Sequence, residues 1–360
     1  MIFDDVLEIK NGRNQKNVEN PNGKYPIYGS GGIMGYADDY ICEADTVIIG
    51  RKGSINNPIY VEEPFWNVDT AFGLSAKREI LMPRYLYYFC QYFDFERLNK
   101  AVTIPSLTKS DLLKIELKLP TIETQKKIVD RLIKVEQIIQ LKKRKLQKLD
   151  TLVKSRFAEM FGDPIRNPKG WKVVTIGDIV TEVRYGTSKP AVEGGKYPYL
   201  RMNNLTADGH LDLNDLKYID ISDDEVEKCV VRKGDVLFNR TNSIDLVGKT
   251  AVFDLQDDMV IAGYIIRVRL NEKILPEVLS QYMNLEALKD ILRSMAKGAV
   301  NQANINAQEL QSIRVYVPDI ELQKQFVEMK DQVDKLKSKI QKSLEETQLL
   351  FDSLMQKYFG

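Results

Sequence analysis

The sequence predicts an α+β protein with two similar globular domains and two long helices, and three observations support this class. The phrase LPTIETQKKIV at 119–129 returns as VPDIELQKQFV at 317–327. Each copy opens a segment of about 40 residues whose apolar positions follow coiled-coil spacing. The chain before each copy alternates short β-rich runs with Gly, Asn and Asp turns. The order globule, helix, globule, helix therefore indicates an internal repeat.

The repeat has a constant offset of 198 residues through the helical segments, which is the separation of Pro120 and Pro318. The same offset relates Gln125 to Gln323 and carries the Phe-Gly pair that closes the first segment onto the pair that closes the second. We predict a first globular domain at 1–119, a first helix at 120–162, a second globular domain at 163–317 and a second helix at 318–360.

The two globular segments repeat more loosely, as expected where loops accept insertions. KYPIY at 24–28 resembles KYPYL at 196–200, and ADTVIIGRKGSI at 44–55 resembles GDVLFNRTNSI at 234–244. One helical stretch in each domain is expected after the Pro of MPRYLYYFCQYF or LPEVLSQYMNLEALKDIL. Each domain should therefore combine a curled, mostly antiparallel sheet with a helix.

The two long helices are predicted from their apolar spacing and their N-caps, Thr121 and Asp319. Each should run for roughly 35 residues, or about 50 Å. A stripe that long favours antiparallel packing of the two helices, with a pseudo-two-fold axis; the alternative is that each helix covers its own globule. The first stripe contains Ile128, Leu132, Val135, Ile139, Leu146, Leu149, Val153 and Met160, interrupted by Lys142 and Arg156. The second contains Phe326, Met329, Val333, Leu336, Ile340, Leu350 and Leu354, interrupted by Ser343 and Thr347.

Composition places the chain among ordinary folded proteins. It is 43% hydrophobic and 29% charged, with a net charge of +1. No apolar run approaches the ~18 residues that cross a bilayer, so we expect a cytoplasmic protein. Cys42, Cys90 and Cys229 are widely spaced, which favours reduced, packed thiols over a disulfide framework or a zinc site.

Motifs for catalysis are weak or missing, so we predict no catalytic residue and no metal site. GSGGIMG at 29–35 has Met34 where a dinucleotide loop needs its last Gly. The only histidine, His210, stands in a Gly/Asp-rich turn, and no Asn/Asp-Pro-Pro-aromatic motif of an amino-methyltransferase occurs. The carboxylates of PDIELQK at 318–324 lie in one helix start rather than converging on a metal ion. An enzyme with an unrecognised site is the weaker alternative.

Polar turn residues at matched places in the two domains are the remaining candidates for binding. Arg can bridge guanine O6 and N7, Asn or Gln can bridge adenine N6 and N7, and small hydroxyls reach phosphates. Such residues also populate turns for conformational reasons, so each alone is weak evidence. The candidates for DNA binding are Tyr28, Ser30, Arg51, Lys52, Ser54, Asn203, Asn204, Asn239, Arg240, Thr241, Asn242, Ser243 and Gln302.

This layout resembles the specificity subunits of type I restriction-modification systems. The resemblance rests on the duplicated Pro-x-Ile-x-x-Gln start of each long helix, the closing Phe-Gly pairs and FGDPIRNPKGWKVVTIGDI at 161–179. It implies two target-recognition domains that each read half of a bipartite site in double-stranded DNA. It also implies helices that set the gap and dock two modification methyltransferase subunits, with restriction and translocase subunits in the complex.

The resemblance assigns the chemistry to those partners, which would bind S-adenosylmethionine, ATP and Mg, and no cofactor to this chain. Four residues at the two helix starts are our candidates for holding a partner: Gln125, Lys126, Gln323 and Lys324. A non-enzymatic coiled-coil adaptor that binds other proteins is the main alternative, because it explains the helices and the charge equally well.

Overall fold

The computed structural model describes residues 1–101, 103–296 and 303–360. The chain forms two compact units, residues 1–143 with 341–360 and residues 144–340. Each unit contains one globular domain together with parts of both long helices. Among the described residues, no helix is long and apolar enough to span a membrane.

The first unit has two sheets. Its strands are β1 (Leu7–Asn11), β2 (Tyr25–Gly29), β3 (Gly32–Ala37), β4 (Thr46–Gly50), β5 (Ile59–Val61), β6 (Trp66–Asn67) and β7 (Ala71–Ala76). One sheet has the order β1-β7-β4-β5 and is antiparallel throughout. The other has the order β3-β2-β6, in which β2 and β6 run parallel.

Helices of the first unit cover the larger sheet. They are α1 (Phe3–Val6), α2 (Pro83–Tyr92), α3 (Lys109–Leu112), a 3-10 turn at Phe95–Leu98 and the first part of α4 (Ile122–Phe161). Pro83 occupies the first turn of α2, where its missing N–H leaves no bond unmade. Tyr85 and Tyr88 of α2 are buried in a core that includes Ile128 and Leu132 of α4.

The second unit repeats the two sheets and adds short strand pairs. Its strands are β8 (Lys172–Thr175), β9 (Val180–Tyr185), β10 (Tyr197–Leu200), β11 (Lys217–Ile219), β12 (Val230–Val231), β13 (Val236–Asn239), β14 (Thr241–Asn242), β15 (Thr250–Val252), β16 (Met259–Ile261), β17 (Ile265–Leu270), β18 (Ala303–Asn304) and β19 (Arg314–Val317). The sheets have the orders β15-β13-β17-β9 and β11-β10-β16-β12, with pairs β14-β18 and β19-β8.

The helical stretch predicted after Pro276 is two helices rather than one. Asn284 ends the first of them, because its side chain accepts from the backbone N–H of Thr250 and donates to that residue's carbonyl. The helices of this unit are α5 (Asp223–Cys229), α6 (Pro276–Met283), α7 (Glu286–Met295), α8 (Ala307–Ser312) and the first part of α9 (Ile320–Phe359), with 3-10 turns at Ile176–Ile179 and Met202–Asn204.

The same strand order in both units confirms the internal repeat. The antiparallel order β1-β7-β4-β5 corresponds to β9-β17-β13-β15, and the parallel pair β2-β6 corresponds to β10-β16. Gly12 and Gly186 end the corresponding strands β1 and β9. A Cβ would lie 1.8 Å from the carbonyl oxygen of Val68 at Gly12 and 2.1 Å from that of Ile261 at Gly186, so both places require glycine.

The long helices pack antiparallel, as predicted, and each has 40 residues, or about 60 Å. In the first unit the start of α4 shares its core with Met355 and Phe359 near the end of α9. In the second unit the end of α4 packs on the start of α9, where the ring of Phe326 lies 5.3 Å from that of Phe157 and 5.5 Å from that of Phe161. The fold class predicted from the sequence is confirmed.

The predicted apolar stripe of α9 is wrong at two positions. Leu336 is 46% exposed and Leu350 is 50% exposed. On the side of α9 that faces α4, the residue one turn after Val333 is the half-buried Lys337. Its ammonium group lies 2.6 Å from the carboxylate of Asp150 on α4. Polar contacts therefore replace apolar ones near the middle of the helix pair, which spacing alone did not indicate.

Candidate nucleic-acid interface

In each domain a polar turn follows a buried strand and pairs with the segment that leads toward the long helix. In the first domain the backbone N–H of Leu107 donates to the carbonyl of Arg51 at 2.9 Å, and that of Gly53 donates to Pro105 at 3.0 Å. In the second domain the N–H of Ile305 donates to the carbonyl of Arg240 at 2.9 Å. The sequence matched these segments between copies, and the structure brings them together within each copy.

Arg51 and Arg240 occupy corresponding backbone positions. The N–H of Arg51 donates to the carbonyl of Thr70 at 2.8 Å, and the N–H of Arg240 donates to that of Tyr264 at 2.9 Å. Each arginine directly follows the strand β4 or β13. The fold therefore presents an arginine at the same place in both domains, although the surrounding side chains differ.

The candidates in the first domain lie on neighbouring loops. Arg51, Lys52 and Ser54 are exposed, and the tip of β2 with Ser30 approaches them: a Cβ at Gly50 would lie 3.1 Å from the Cβ of Ser30. Tyr28 is half-buried, and its ring packs edge-on against a phenylalanine at 5.5 Å. Burial is the main cause that raises the pKa of Tyr28, with a further contribution from Glu63. Its hydroxyl is a hydrogen-bond donor at neutral pH, as a tyrosine at its ordinary pKa already is.

In the second domain, two of the asparagines proposed to contact DNA have interior roles. Asn239 is fully buried, and its amide donates to the carbonyls of Thr241 and Tyr264 and accepts from the amide of Asn242. Asn204 is also buried, with its side chain bonded to the backbone of Arg201 and Asp212. These side chains shape the turns instead of presenting free amide groups. The exposed candidates here are Asn203 and Ser243, and Gln302 lies outside the described residues.

Arg240 lines a cleft of about 980 Å³ in the second domain. Its guanidinium stacks over the ring of Tyr185 at 4.9 Å, Nη2 donates to Oδ1 of Asn304 at 2.9 Å, and Nη1 donates to the carbonyl of Gly263 at 3.4 Å. Thr241 and Asn203 also line this cleft. The structure thus gathers three candidates from two separate segments, 240–241 and 202–204, into one concave surface.

The cleft also contains residues that the sequence did not single out: Lys189, Arg201 and Tyr264. Arg201 directly follows the repeated phrase KYPYL, which could have drawn attention to it. Both cations are partly compensated, because Lys189 lies 2.5 Å from Glu225 and Arg201 lies 2.7 Å from Asp215. The bond from Lys189 lowers the pKa of Glu225, so this carboxylate stays charged and reduces the positive field of the cleft.

A buried lysine holds the turn at the edge of the cleft. The ammonium group of Lys249 donates to the carbonyls of Met202 and Leu205 at 2.8 and 2.5 Å. Burial lowers the pKa of Lys249, and these carbonyls stabilise its charged form. The turn that carries Asn203 is therefore fixed from inside the domain.

Gln125 and Gln323, two candidates for holding a partner, lie in the interior. Both are fully buried. The amide of Gln125 accepts from the N–H of Met82 and donates to the carbonyls of Ile80 and Pro120, all at 2.9 Å. Gln323 makes the corresponding bonds to Leu275, Lys273 and Pro318 at 2.8 to 3.0 Å. Their side chains join each helix to its own domain.

The neighbouring candidates, Lys126 and Lys324, are exposed. Lys324 forms a salt bridge of 2.7 Å with Glu321 one helical turn away. Both lysines are therefore accessible to another subunit. In the part of the chain that the structure describes, no group of three or more His, Cys, Asp or Glu side chains is placed to hold a metal ion.

A family model described as the type I restriction modification DNA specificity domain matches residues 3–151 and 168–346. The chain belongs to this family. The match falls once on each half of the chain, in agreement with the repeat of strands and helices. It confirms the resemblance seen in the sequence and places the chain among specificity subunits, which carry DNA-recognition domains, rather than among the catalytic subunits.

Similar proteins are named as specificity subunits of type I restriction enzymes. The EcoKI specificity subunit of Escherichia coli strain K12 is 26% identical over 335 residues, which cover 86% of this chain and 72% of that subunit. The EcoBI specificity subunit of Escherichia coli is 23% identical over 94% of this chain and 77% of its own length. A MjaX specificity subunit of Methanocaldococcus jannaschii is 30% identical over 196 residues, 53% of this chain and 46% of that relative.

Solved structures share the fold of this specificity subunit over its whole length. The S subunit of a type I restriction-modification system from M. genitalium superposes with a TM-score of 0.63 at 17% identity, covering 100% of this chain and 95% of its own. A chain from a study of complex assembly and conformational transition in the type I system superposes with a TM-score of 0.59 at 19% identity, covering 100% and 96%.

Proposed function

We propose that this specificity subunit reads a bipartite DNA sequence, one half with each domain. The observation that carries the proposal is the turn pair repeated in both domains, in which an arginine after a buried strand lies beside the segment that leads to the helix. A shared backbone with different side chains suits two half-sites of different sequence, because base contacts specify and backbone contacts position.

The side chains on the two turn pairs differ as this proposal requires. The first domain presents Arg51, Lys52 and Ser54 to solvent. The second domain places Arg240 in a cleft and has a buried Thr241 where the first has Lys52. Each domain therefore offers its own arrangement of hydrogen-bond donors on the same scaffold.

The near-neutral net charge is compatible with recognition in a larger complex. Two cations of the second domain's cleft, Lys189 and Arg201, are paired with carboxylates, so their attraction for phosphate is reduced. Partner subunits would then supply much of the affinity for the DNA backbone, while this chain supplies the choice of sequence.

The long helices are proposed to set the spacing and to dock the modification and restriction subunits. In the first unit, Ile138 and Leu141 of α4 and Leu349 and Leu350 of α9 are exposed apolar side chains. Contiguous patches of such side chains mark surfaces that other proteins cover, and this part of the helix pair is our candidate for one. The docked subunits would bring S-adenosylmethionine for methylation of adenine, and ATP with Mg for translocation.

The proposal is tested by expressing the chain with a type I methyltransferase subunit from the same genome and sequencing the DNA for methylated adenine. We expect one bipartite motif with a fixed gap. A strain carrying the methyltransferase without this chain is the control and should lack the motif. A stable complex without methylation would contradict the DNA-reading role and favour an adaptor.

A further inference from the structure

We infer that Arg240 reads a guanine in the half-site of the second domain, with Tyr185 and Asn304 as positioning residues. The inference rests on the proposed function and adds the base and the residue that selects it. Arginine pairs with the O6 and N7 acceptors of guanine more often than with any other base edge, because its planar donors match them.

The orientation of the Arg240 side chain is set before any ligand binds. Tyr185 lies under the guanidinium, and the hydroxyl of this tyrosine accepts from the backbone N–H of Ala307 at 2.8 Å, which fixes the ring. Asn304 fixes Nη2 from the side. Nη1 also donates to the carbonyl of Gly263. A planar group held against an aromatic face and bonded at both terminal nitrogens loses little conformational entropy on binding, which favours selective recognition.

Buried polar atoms without hydrogen-bond partners occur in residues that line the same cleft. Within the described part of the chain, four buried side-chain polar atoms have no hydrogen-bond partner: Arg201 Nε, Arg240 Nε, Thr241 Oγ1 and Arg267 Nε. The atoms of Arg201, Arg240 and Thr241 belong to residues that line the cleft, and the Thr241 side chain is only 5% exposed. Unpaired buried groups are costly, and here they are concentrated in the residues that form the cleft wall.

The walls of the cleft suit a base better than a phosphate. One side of the cleft is apolar and is formed by Pro190, Ala191 and Ala262. Tyr264 also lines the cleft and is 49% exposed, and its backbone carbonyl accepts from the N–H of Arg240. A flat base has apolar faces and acceptors on one edge, whereas a phosphate is polar on every side. The donors of Arg240 and Arg201 complement acceptors, which guanine presents as an adjacent pair.

The corresponding arginine of the first domain lacks this arrangement. Arg51 is exposed; its Nη1 bonds to the carbonyl of Asp69 at 3.5 Å, and its guanidinium lies 5.8 Å from the ring of Phe72. Ser106 stands in the segment that pairs with the turn, where the second domain has Asn304. The fixed arginine is therefore a property of the second domain, and its effect should be confined to one half of the motif.

The test is the methylation motif of cells that express the full chain with its methyltransferase, comparing wild type with Arg240→Gln, Arg240→Lys, Tyr185→Leu and Arg232→Gln. The half read by the second domain is the half that changes when residues 171–300 are replaced by the matching segment of a relative. Arg232 is an exposed arginine of the same domain that does not line the cleft, paired with Glu227 and Asp258, and serves as the matched control.

We expect a guanine in that half of the wild-type motif. Arg240→Gln and Arg240→Lys should each lower the preference for this guanine by roughly tenfold or more, Tyr185→Leu should lower it less, and Arg232→Gln should leave it unchanged. The other half should stay as it is in every variant. Thermal unfolding of the purified chains checks the fold, and the lysine variant serves if the glutamine variant does not fold.

The result that overturns the inference is a bipartite motif without guanine in that half, or full guanine preference in Arg240→Lys, since charge alone would then suffice. Uniformly weaker methylation with an unchanged motif would also overturn it, because it indicates a phosphate contact. Absence of any bipartite motif in wild type would instead refute the proposed function, so the two failures are distinguishable.

Discussion

The ammonium group of Lys142 on α4 lies 2.5 Å from the hydroxyl of Thr347 on α9. It also donates to the hydroxyl of Ser343 at 2.8 Å and to the carbonyl of that residue at 2.7 Å. All three residues interrupt the apolar stripes that the sequence predicts. The interruptions therefore meet each other across the helix pair and fix its register, as polar residues do at seam positions of coiled coils.

A double-mutant cycle on Lys142 and Thr347 should detect this contact. Lys142→Ala and Thr347→Val each remove one partner of the hydrogen bond. We expect a coupling free energy of about 1 kcal/mol, which is less than for a fully buried bond to a charged group because both residues are half-buried. The measurement is urea denaturation followed by helix content. Lys143→Ala, an exposed neighbour, paired with Thr347→Val is the control cycle. Additive effects in the Lys142 cycle would contradict the contact.

Removing the buried amide of Gln125 should destabilise the first unit. Gln125→Ala leaves the N–H of Met82 and the carbonyl of Ile80 without their partner, so we expect a loss of about 2 to 4 kcal/mol in the free energy of unfolding. The exposed Lys126→Ala should change it by less than about 0.5 kcal/mol. Equal, small effects in denaturant titrations would refute the interior role of the glutamine.

Stability should rise with pH because of Lys289. Burial is the main cause that lowers the pKa of Lys289, to about 8, and its ammonium group donates to the carbonyl of Gly248 at 2.5 Å. Since the unfolded chain has the higher pKa, it binds more protons between about pH 8 and 10, and folding becomes more favourable as pH increases in this window.

The comparison is with Lys289→Met, which lacks the titrating group. The free energy of unfolding of wild type relative to this variant should increase by about 2 kcal/mol between pH 7 and 9.5. Thermal or urea denaturation at a series of pH values gives the two curves. Parallel curves would show that the lysine keeps its ordinary protonation in the folded state.

Exchange of one domain should change one half of the recognised sequence. Replacing residues 171–300 with the matching segment of a relative leaves the turn pair of the first domain untouched. We expect a motif with one new half and one old half, read by sequencing methylated adenine. A change in the old half would contradict modular reading.

Matched insertions in the two long helices should alter the spacing of the motif. One or two turns added within residues 140–148 need an equal insertion in the facing part of α9, because Lys142 must still meet Ser343 and Thr347. We expect a longer gap between the half-sites in the methylation motif. An unchanged gap, with the complex intact by size-exclusion chromatography, would contradict the spacing role.

The repeat was the part of the fold that the sequence predicted best. The sequence phrase that starts each helix contains Gln125 or Gln323 at the same offset of 198 residues. The short β-rich runs before each phrase do form strands separated by turns. The exposure of Leu336 was not predictable from apolar spacing, because the half-buried Lys337 occupies the inward position and bonds to Asp150 on the other helix. Such long-range polar pairs leave no local periodic signal.

The site was predicted in outline only. The matched position of Arg240 in the repeat marked it as a candidate, but its stacking on Tyr185 joins residues far apart in sequence. Asparagine is a residue type common at binding sites, but the side-chain amides of Asn239 and Asn204 donate to backbone carbonyls of their own turns. Residue type alone does not distinguish an asparagine that shapes a turn from one that faces a ligand.

At the joint between each domain and its long helix, the side-chain hydrogen bonds of one buried glutamine all go to main-chain atoms. Gln125 bonds to backbone groups of Ile80, Met82 and Pro120, and Gln323 does the same at Lys273, Leu275 and Pro318. Main-chain groups are common to all sequences, so these six hydrogen bonds do not depend on the side chains of the domain's loop. We expect a foreign domain with the same loop path to keep these bonds on either helix, provided that its apolar side chains also fit the core that Tyr85 and Tyr88 share with Ile128 and Leu132 in the first unit.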